Sequence, residues 1–151
     1  MKPVVKKATP AAIAVLRQAT AICPLRMKAS DGLLPSKAHI LQNPNSDHNT
    51  GLAVDLTHDK LGGIDCSVIY EKLKEDKRVA YLIFKGTIWS KEKGDRRYTG
   101  SNPHNKHLHI SIKPAMATDT TPWFPWLGTP KVINKVKSKV KLLPKKKENN
   151  D

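Results

Sequence analysis

The chain has 151 residues, a length that suits one compact domain with a buried core. Its 27 Lys and Arg against 13 Asp and Glu give a formal net charge of +14, which fits a polyanionic partner such as nucleic acid, teichoic acid or phospholipid. The two cysteines lack CxxC spacing, which argues against a disulfide framework or a cysteine–zinc cluster. The longest uncharged run near the start, 8–16, is too short for a signal peptide or a membrane span.

The first half of the chain predicts one helix, one long loop and one strand. Residues 10–22 are good helix formers, Thr9 can cap them and a proline suits the first turn, so we predict a helix there. The run 30–49 is rich in Ser, Asp, Gly, Pro and Asn, which predicts a long loop of the kind that often serves a site. Apolar and polar residues alternate over 52–57, which predicts a strand.

The second half predicts a helix and three strands. Residues 65–76 begin with a capping aspartate and place their apolar residues on one side, which predicts a helix. The run 79–84 predicts an apolar strand, with a returning strand over 87–90. Residues 91–103 are polar and predict a loop. Alternation over 106–113 predicts the last strand.

Composition divides the chain into three regions. Residues 1–114 hold every predicted element and form the expected domain. The Trp- and Pro-rich segment 115–130 is expected to pack on that domain rather than stack on sugar rings. Residues 131–151 carry eight lysines against two acidic residues, which predicts a disordered basic tail. No aromatic residue interleaves with those lysines, which argues against specific nucleic-acid recognition.

Two short stretches carry the chemistry. The first places a His and an Asp seven positions apart, and the second ends in His-x-His. Two imidazoles and one carboxylate, with a position left open, are what a catalytic zinc needs. All six histidines fall in this central block, at positions 39, 48, 58, 104, 107 and 109. The sequence therefore predicts a metal site, while His39 and His58 are expected to be solvated loop residues.

Strand geometry brings these groups together. Successive side chains of a strand point to opposite faces, so His107 and His109 share a face and one can ligate a metal while the other reaches substrate. Asp55 lies on the polar face of its own predicted strand, and His48 lies at the turn before it. If the two strands pair, His48, Asp55 and His109 converge on one ion.

The first stretch also carries a family resemblance. Ser46-x-His48-x-x-Gly51-x-Ala53-x-Asp55 reproduces the SxHxxGxAxD signature of the D-Ala-D-Ala metallopeptidases. With the later His-x-His, the chain resembles the wider group that also includes lysostaphin-type enzymes and murein endopeptidases. The spacing of three histidines over 104–109 further resembles the penicillin-insensitive murein endopeptidases. The similarity covers roughly residues 30–112.

The resemblance implies a fold, a cofactor and residue roles. His48, Asp55 and His109 would bind Zn²⁺, and His107 and His104 would lie at the reacting centre as catalytic groups. The implied fold is a small single α+β domain, with a mostly antiparallel sheet, flanking helices and a zinc cleft.

One position departs from the family pattern. Many carboxypeptidase relatives carry Glu or Asp three residues before the last zinc-binding His, as general base, and this chain has Lys106 there. A cationic ammonium cannot accept a proton at neutral pH, so either His104 or His107 takes that role or the enzyme is impaired. Arg26 and Ser46 are candidate substrate-binding residues, although Arg26 is also readily explained as a surface arginine.

The expected function is hydrolysis of peptide bonds in bacterial peptidoglycan by a phage-type lytic enzyme. Without a signal peptide or membrane span, such a protein would be made in the cytoplasm and reach the wall after release, or be carried on a phage particle. The tail 131–151 would then hold it near anionic wall polymer, or be a plain solvated extension. Alternatives are a non-catalytic zinc domain that binds wall or a partner, a non-haem iron site, and a two-histidine phosphoesterase built on His48-x-Thr50 and His109-x-Ser111.

Overall fold

A computed structural model describes residues 2–128 and shows an α+β fold built on one antiparallel sheet. In the described residues the helices are α1 (Pro10–Ile22), α2 (Lys37–Gln42) and α3 (Cys66–Leu73), with short 3₁₀ helices at Asp47–Thr50 and Pro114–Met116. The strands are β1 (Ala53–Thr57), β2 (Val79–Phe84), β3 (Thr87–Ser90), β4 (Gly94–Arg97) and β5 (His107–Ile112). Their order in the sheet is β1-β5-β2-β3-β4. The predicted fold class is thus confirmed.

Helix α1 begins and ends where the sequence predicts. The Thr9 hydroxyl accepts a hydrogen bond from the amide of Ala12, and the proline after it has no N–H that would need an acceptor in the first turn. Its alanine-rich face is fully buried against β1, where small side chains allow the helix to lie close to the sheet. No helix of residues 2–128 is long and apolar enough to cross a membrane.

The pairing of β1 with β5 fixes the two faces of the sheet. The strands run antiparallel, with Val54 opposite Ile110 and Leu56 opposite Leu108, and all four side chains are fully buried in the core. Because side chains alternate, the residues between them point to the other face. Asp55 is the direct cross-strand partner of His109 in this register. The two motif strands thus pair, which is the condition under which His48, Asp55 and His109 were expected to converge.

Two predicted loops contain regular structure. Residues 30–49 were expected to be loop throughout, but Ser36 caps α2 by accepting from the amide of His39 at 3.1 Å. Residues 91–103 contain β4, which pairs with β3. The prediction was wrong at both places, because α2 has no buried residue and β4 is a largely exposed edge strand, so neither carries an apolar periodicity.

The Trp- and Pro-rich segment contributes to the core. Trp123 and Phe124 are buried, and the Trp123 indole N–H donates to the carbonyl oxygen of Ala11 at 3.1 Å. The guanidinium of Arg78 lies 3.6 Å from the centre of the Trp123 ring, and Arg78 is itself paired with Asp76. Trp123 is therefore a packing residue with no face open to a sugar. The predicted tail 131–151 lies outside the described residues.

Candidate metal centre

His48 is positioned by a tight turn that leads into β1. The hydroxyl of Ser46 caps the 3₁₀ helix by accepting from the amide of His48 at 3.2 Å. Gly51 ends this helix with a φ of 71°, a left-handed conformation that side chains disfavour, and a Cβ there would lie 3.0 Å from the Cα of Ala8. Glycine at this position thus lets the chain turn and approach the start of α1 closely.

Asp55 lies at the centre of the cluster. Its Oδ1 is 3.3 Å from Nε2 of His48 and 3.2 Å from Nδ1 of His109. The backbone of Asp55 exchanges two hydrogen bonds with Gly32, so the segment between α1 and α2 flanks β1 at this point. The three predicted metal-binding side chains, His48, Asp55 and His109, are therefore brought together, with one donor atom from each within 4.8 Å of the others.

This donor set fits a metal cation. The Nδ1 of His48 lies 2.8 Å from the carbonyl oxygen of Leu33, and because a carbonyl only accepts, Nδ1 carries the ring proton. The lone pair of Nε2 then faces the Asp55 carboxylate, which is also an acceptor. Two acceptors at this distance attract each other only through a cation between them, either a proton or a metal ion. Two imidazoles and a carboxylate are the donors that zinc and similar divalent ions bind.

A second pair of histidines lies on the other side of the carboxylate. Nε2 of His107 is 3.7 Å from Oδ2 of Asp55, and the ring of His104 lies 4.9 Å from the ring of His107. His104 has a φ of 62°, which is uncommon for a residue with a side chain, and its Nδ1 lies 2.7 Å from the carbonyl oxygen of Asn102. The structure thus gathers all five residues assigned to the metal and the reacting centre.

The protonation of the cluster follows from burial and charge. Burial opposes ionisation of Asp55, but hydrogen bonds from His109 and His48 outweigh it and hold its pKa far below the usual range. Burial also opposes protonation of His48, yet the Asp55 carboxylate raises its pKa overall. Burial lowers the pKa of His104 to about 4, aided by the neighbouring rings of His109 and His107, and burial lowers the pKa of His107 as well. At neutral pH, His104 and His107 are therefore neutral.

The cluster lines a cavity of about 500 Å³, a size typical of sites for small ligands. Three ring-bearing side chains of its lining were not assigned to the site from the sequence. His39 was expected to be solvated, but it lies in α2 with Nε2 3.1 Å from the Ser46 hydroxyl. Tyr81 stacks on the ring of His109 at 5.5 Å, and Tyr98 lies against His104 at the same separation. The sequence could have placed Tyr81 on the face of β2 that points away from the core, because it alternates along the strand with the core residues Leu82 and Phe84.

Other predicted positions have different roles. Arg26 is 4% exposed, so the expectation of a surface arginine is wrong. Its guanidinium forms a bidentate pair with Asp31 and a bond to Thr20, and it does not line the cavity around Asp55. His58 accepts from the amide of Cys66 at the start of α3, so it is not simply solvated. Ser46 does line the cavity.

Lys106 stands apart from the cluster. It is exposed, precedes β5 and is absent from the described lining of the cavity around Asp55. Its carbonyl oxygen accepts from the amide of His58 at 2.9 Å, which ties the backbone there to the end of β1. Lys106 instead lines a separate pocket with Asn102 and His107, outside the cavity around Asp55.

The metal-free protein should lose stability in acid through His104. Its pKa of about 4 lies below the usual 6.5, so between these values the unfolded chain binds a proton that the folded chain does not. Stability from this group therefore falls as pH drops from 6.5 towards 4, by about 2 kcal/mol between pH 7 and 5. His104→Asn, which tolerates the positive φ, should remove that part of the pH dependence.

Urea unfolding of both forms in the presence of a chelator measures this difference. His48 and His107 are present in both proteins, so their contributions largely cancel in the comparison. Equal losses of unfolding free energy between pH 7 and 5 in the two proteins would contradict the buried, neutral state of His104.

The site combines a metal-ligand set with two neutral imidazoles in one wall of a cavity. Such a set can hold a divalent cation, and the adjacent lone pairs can accept a proton from a bound molecule. Searches with family models, of curated proteins and of solved structures gave no match to this chain. The chemistry of the site therefore follows from its own residues.

Proposed function

We propose that the protein is a zinc-dependent peptidase that hydrolyses peptide bonds in bacterial peptidoglycan. The observation that carries this proposal is the cluster of His48, Asp55 and His109, with His107 beside it in the same cavity. The order and spacing of the SxHxxGxAxD and HxxHxH motifs support it, because each residue of the cluster occupies the motif position expected to bind zinc or act on substrate.

The chain's own residues supply binding and proton transfer. Zinc held by His48, Asp55 and His109 would polarise a substrate carbonyl and lower the pKa of water towards neutrality. Leu33 fixes the ring of His48 through its carbonyl oxygen, and Asp55 keeps negative charge in the site. His107 is neutral, so it accepts a proton from the attacking water and passes it to the leaving amine.

The lining of the cavity favours an internal peptide bond over a terminal one. A carboxypeptidase must hold the free carboxylate of its substrate, which in proteins is typically the work of Arg or Lys. Among the described residues that line the cavity none is Arg or Lys, and the buried Arg26 is engaged with Asp31. We therefore infer endopeptidase action on a cross-link or within a stem peptide.

Digestion of purified peptidoglycan tests the proposed function. The protein with one equivalent of zinc should convert cross-linked muropeptide dimers into monomers, seen by mass spectrometry as addition of one water per bond cut. A monomeric pentapeptide should lose its terminal residue much more slowly. Protein stripped with a chelator should be inactive and should recover on addition of zinc. Bound zinc without cleavage of either substrate would instead favour a non-catalytic zinc domain.

A two-histidine phosphoesterase has less support from the geometry. That chemistry needs both His-x-Ser/Thr motifs presented together, whereas His48 lies in a 3₁₀ helix. The hydroxyl of Thr50 bonds the carbonyl oxygen of Asp47, and the hydroxyl of Ser111 bonds Nε2 of His109. Neither hydroxyl is free to bind a phosphate beside its histidine.

The basic character of the chain suits an anionic substrate matrix. A net charge of +14 attracts the protein to wall polymers over a range set by the ionic strength. We propose that the protein reaches the wall from the cytoplasm after a membrane lesion, or on a phage particle. The lysine-rich run 131–151, proposed as a tether to anionic wall polymer, lies outside the described residues.

A further inference from the structure

The two oxygens of the Asp55 carboxylate face two different sets of histidines. Oδ1 faces His48 and His109, at 3.3 Å and 3.2 Å, and belongs to the proposed zinc site. Oδ2 lies 3.7 Å from Nε2 of His107. One donor atom each from Asp55, His104 and His107 also lie within 4.8 Å of one another. The carboxylate therefore stands between two possible cation positions.

His104 is held in the manner of a metal ligand. Its Nδ1 donates to the carbonyl oxygen of Asn102 at 2.7 Å, which leaves the Nε2 lone pair free, as the carbonyl oxygen of Leu33 does for His48. Its backbone amide donates to the side chain of Asn102, and its carbonyl oxygen accepts from the amide of Lys85. These three bonds fix an imidazole whose backbone adopts an uncommon positive φ.

We propose that Asp55, His104 and His107 form a second position for a divalent cation, with Asp55 bridging it to the first. Two imidazoles and a carboxylate repeat the donor chemistry of the first set, so zinc suits both. The second cation binds more weakly, because both cations share the negative charge of one carboxylate and repel each other. It therefore fills only after the first.

A cation in the second position should also affect hydrolysis. This consequence rests on the proposed function. A cation there takes the lone pairs of His104 and His107, the groups that would otherwise accept and deliver protons. Zinc in excess of one equivalent should thus inhibit the enzyme that the first equivalent activates.

Zinc titration of the metal-free full-length chain tests the second position without any substrate. Calorimetry or equilibrium dialysis with elemental analysis should resolve two equivalents, the second at least about tenfold weaker than the first. His104→Asn and His107→Ala should each weaken the second step by about tenfold or more and leave the first within about threefold. Circular dichroism confirms that each variant is folded.

A matched control removes a histidine outside the cavity. His58→Asn keeps a side-chain acceptor for the amide of Cys66 and should retain both steps. A single equivalent in the wild type at every zinc concentration would overturn the proposal. So would a second equivalent that persists in both His104→Asn and His107→Ala, or that disappears in His58→Asn.

The two proposals fail separately. Two zinc equivalents without cleavage of peptidoglycan would retain the second position and reject the peptidase. Cleavage at one equivalent with no second binding step would retain the peptidase and reject the second position. Inhibition by excess zinc, weakened in parallel with the second binding step in His104→Asn, supports both.

Discussion

Replacing Asp55 with alanine should remove bound zinc and lower peptidoglycan hydrolysis by roughly a thousandfold or more, since the metal supplies several kcal/mol of transition-state stabilisation. Of the described residues that line the cavity, Asp55 alone carries a carboxyl group. Without it, the imidazoles of His48 and His109 would hold a divalent cation with no compensating charge. Elemental analysis of the purified variant, with a peptidoglycan digest, measures both effects.

Asp55→Asn separates charge from shape. The amide has almost the same size, and its N–H groups can donate to Nε2 of His48 or Nδ1 of His109, so the variant should fold without metal. It should nevertheless lose the zinc, because a neutral amide binds zinc far more weakly than a carboxylate. A full equivalent of zinc in Asp55→Asn would show that the metal is held elsewhere.

The sequence predicted the elements whose signals are local. Helix α1 has a capping Thr9, a proline in its first turn and a Cys-Pro end, and its bounds match the structure. The apolar alternation of β1 and β5 predicted two strands with one buried face, and that face is the core. Because alternation also fixes the opposite face, the side chains of Asp55, His107 and His109 could be assigned to it before any pairing was known.

The elements without apolar periodicity were not predictable. Helix α2 buries none of its residues, and only the Ser36 cap distinguishes it from loop, so the place of His39 at the cavity depends on tertiary structure. Strand β4 has the sequence Gly-Asp-Arg-Arg and is held by hydrogen bonds to β3 rather than by burial. Arg26 is buried because its two terminal NH₂ groups donate to the two carboxylate oxygens of Asp31. No local sequence pattern indicates this pairing.

The metal cluster was predictable only in part. The ordered motifs indicated which residues meet, but not that Asp55 lies directly opposite His109, since strand register is set by the whole sheet. The role of Leu33 in fixing the ring of His48 depends on a backbone carbonyl, which has no sequence signal. The same holds for the carbonyl oxygen of Asn102 beside His104.

Replacing His107 with alanine should reduce turnover severely while one zinc equivalent stays bound. His107 faces Oδ2 of Asp55 rather than the oxygen shared by His48 and His109, so its loss leaves the first donor set intact. Loss of a group that transfers protons typically costs 10² to 10⁴ in rate, and we expect a fall of about that size. Single-turnover digestion of cross-linked muropeptides, with elemental analysis of the same sample, measures both quantities.

Lys106→Ala is the matched control for this prediction, because it alters the neighbouring residue of the chain. The Lys106 side chain is exposed and does not line the cavity around Asp55, so its loss should reduce the rate only slightly, and less at high salt where surface charge is screened. A large loss on Lys106→Ala at every salt concentration would place the ammonium group in the reaction. Zinc lost on His107→Ala but kept on His109→Ala would mean that the two histidines of β5 have exchanged roles. With His107 as the ligand, the metal would be held on the Oδ2 side of Asp55, and His109 would be left to carry the proton.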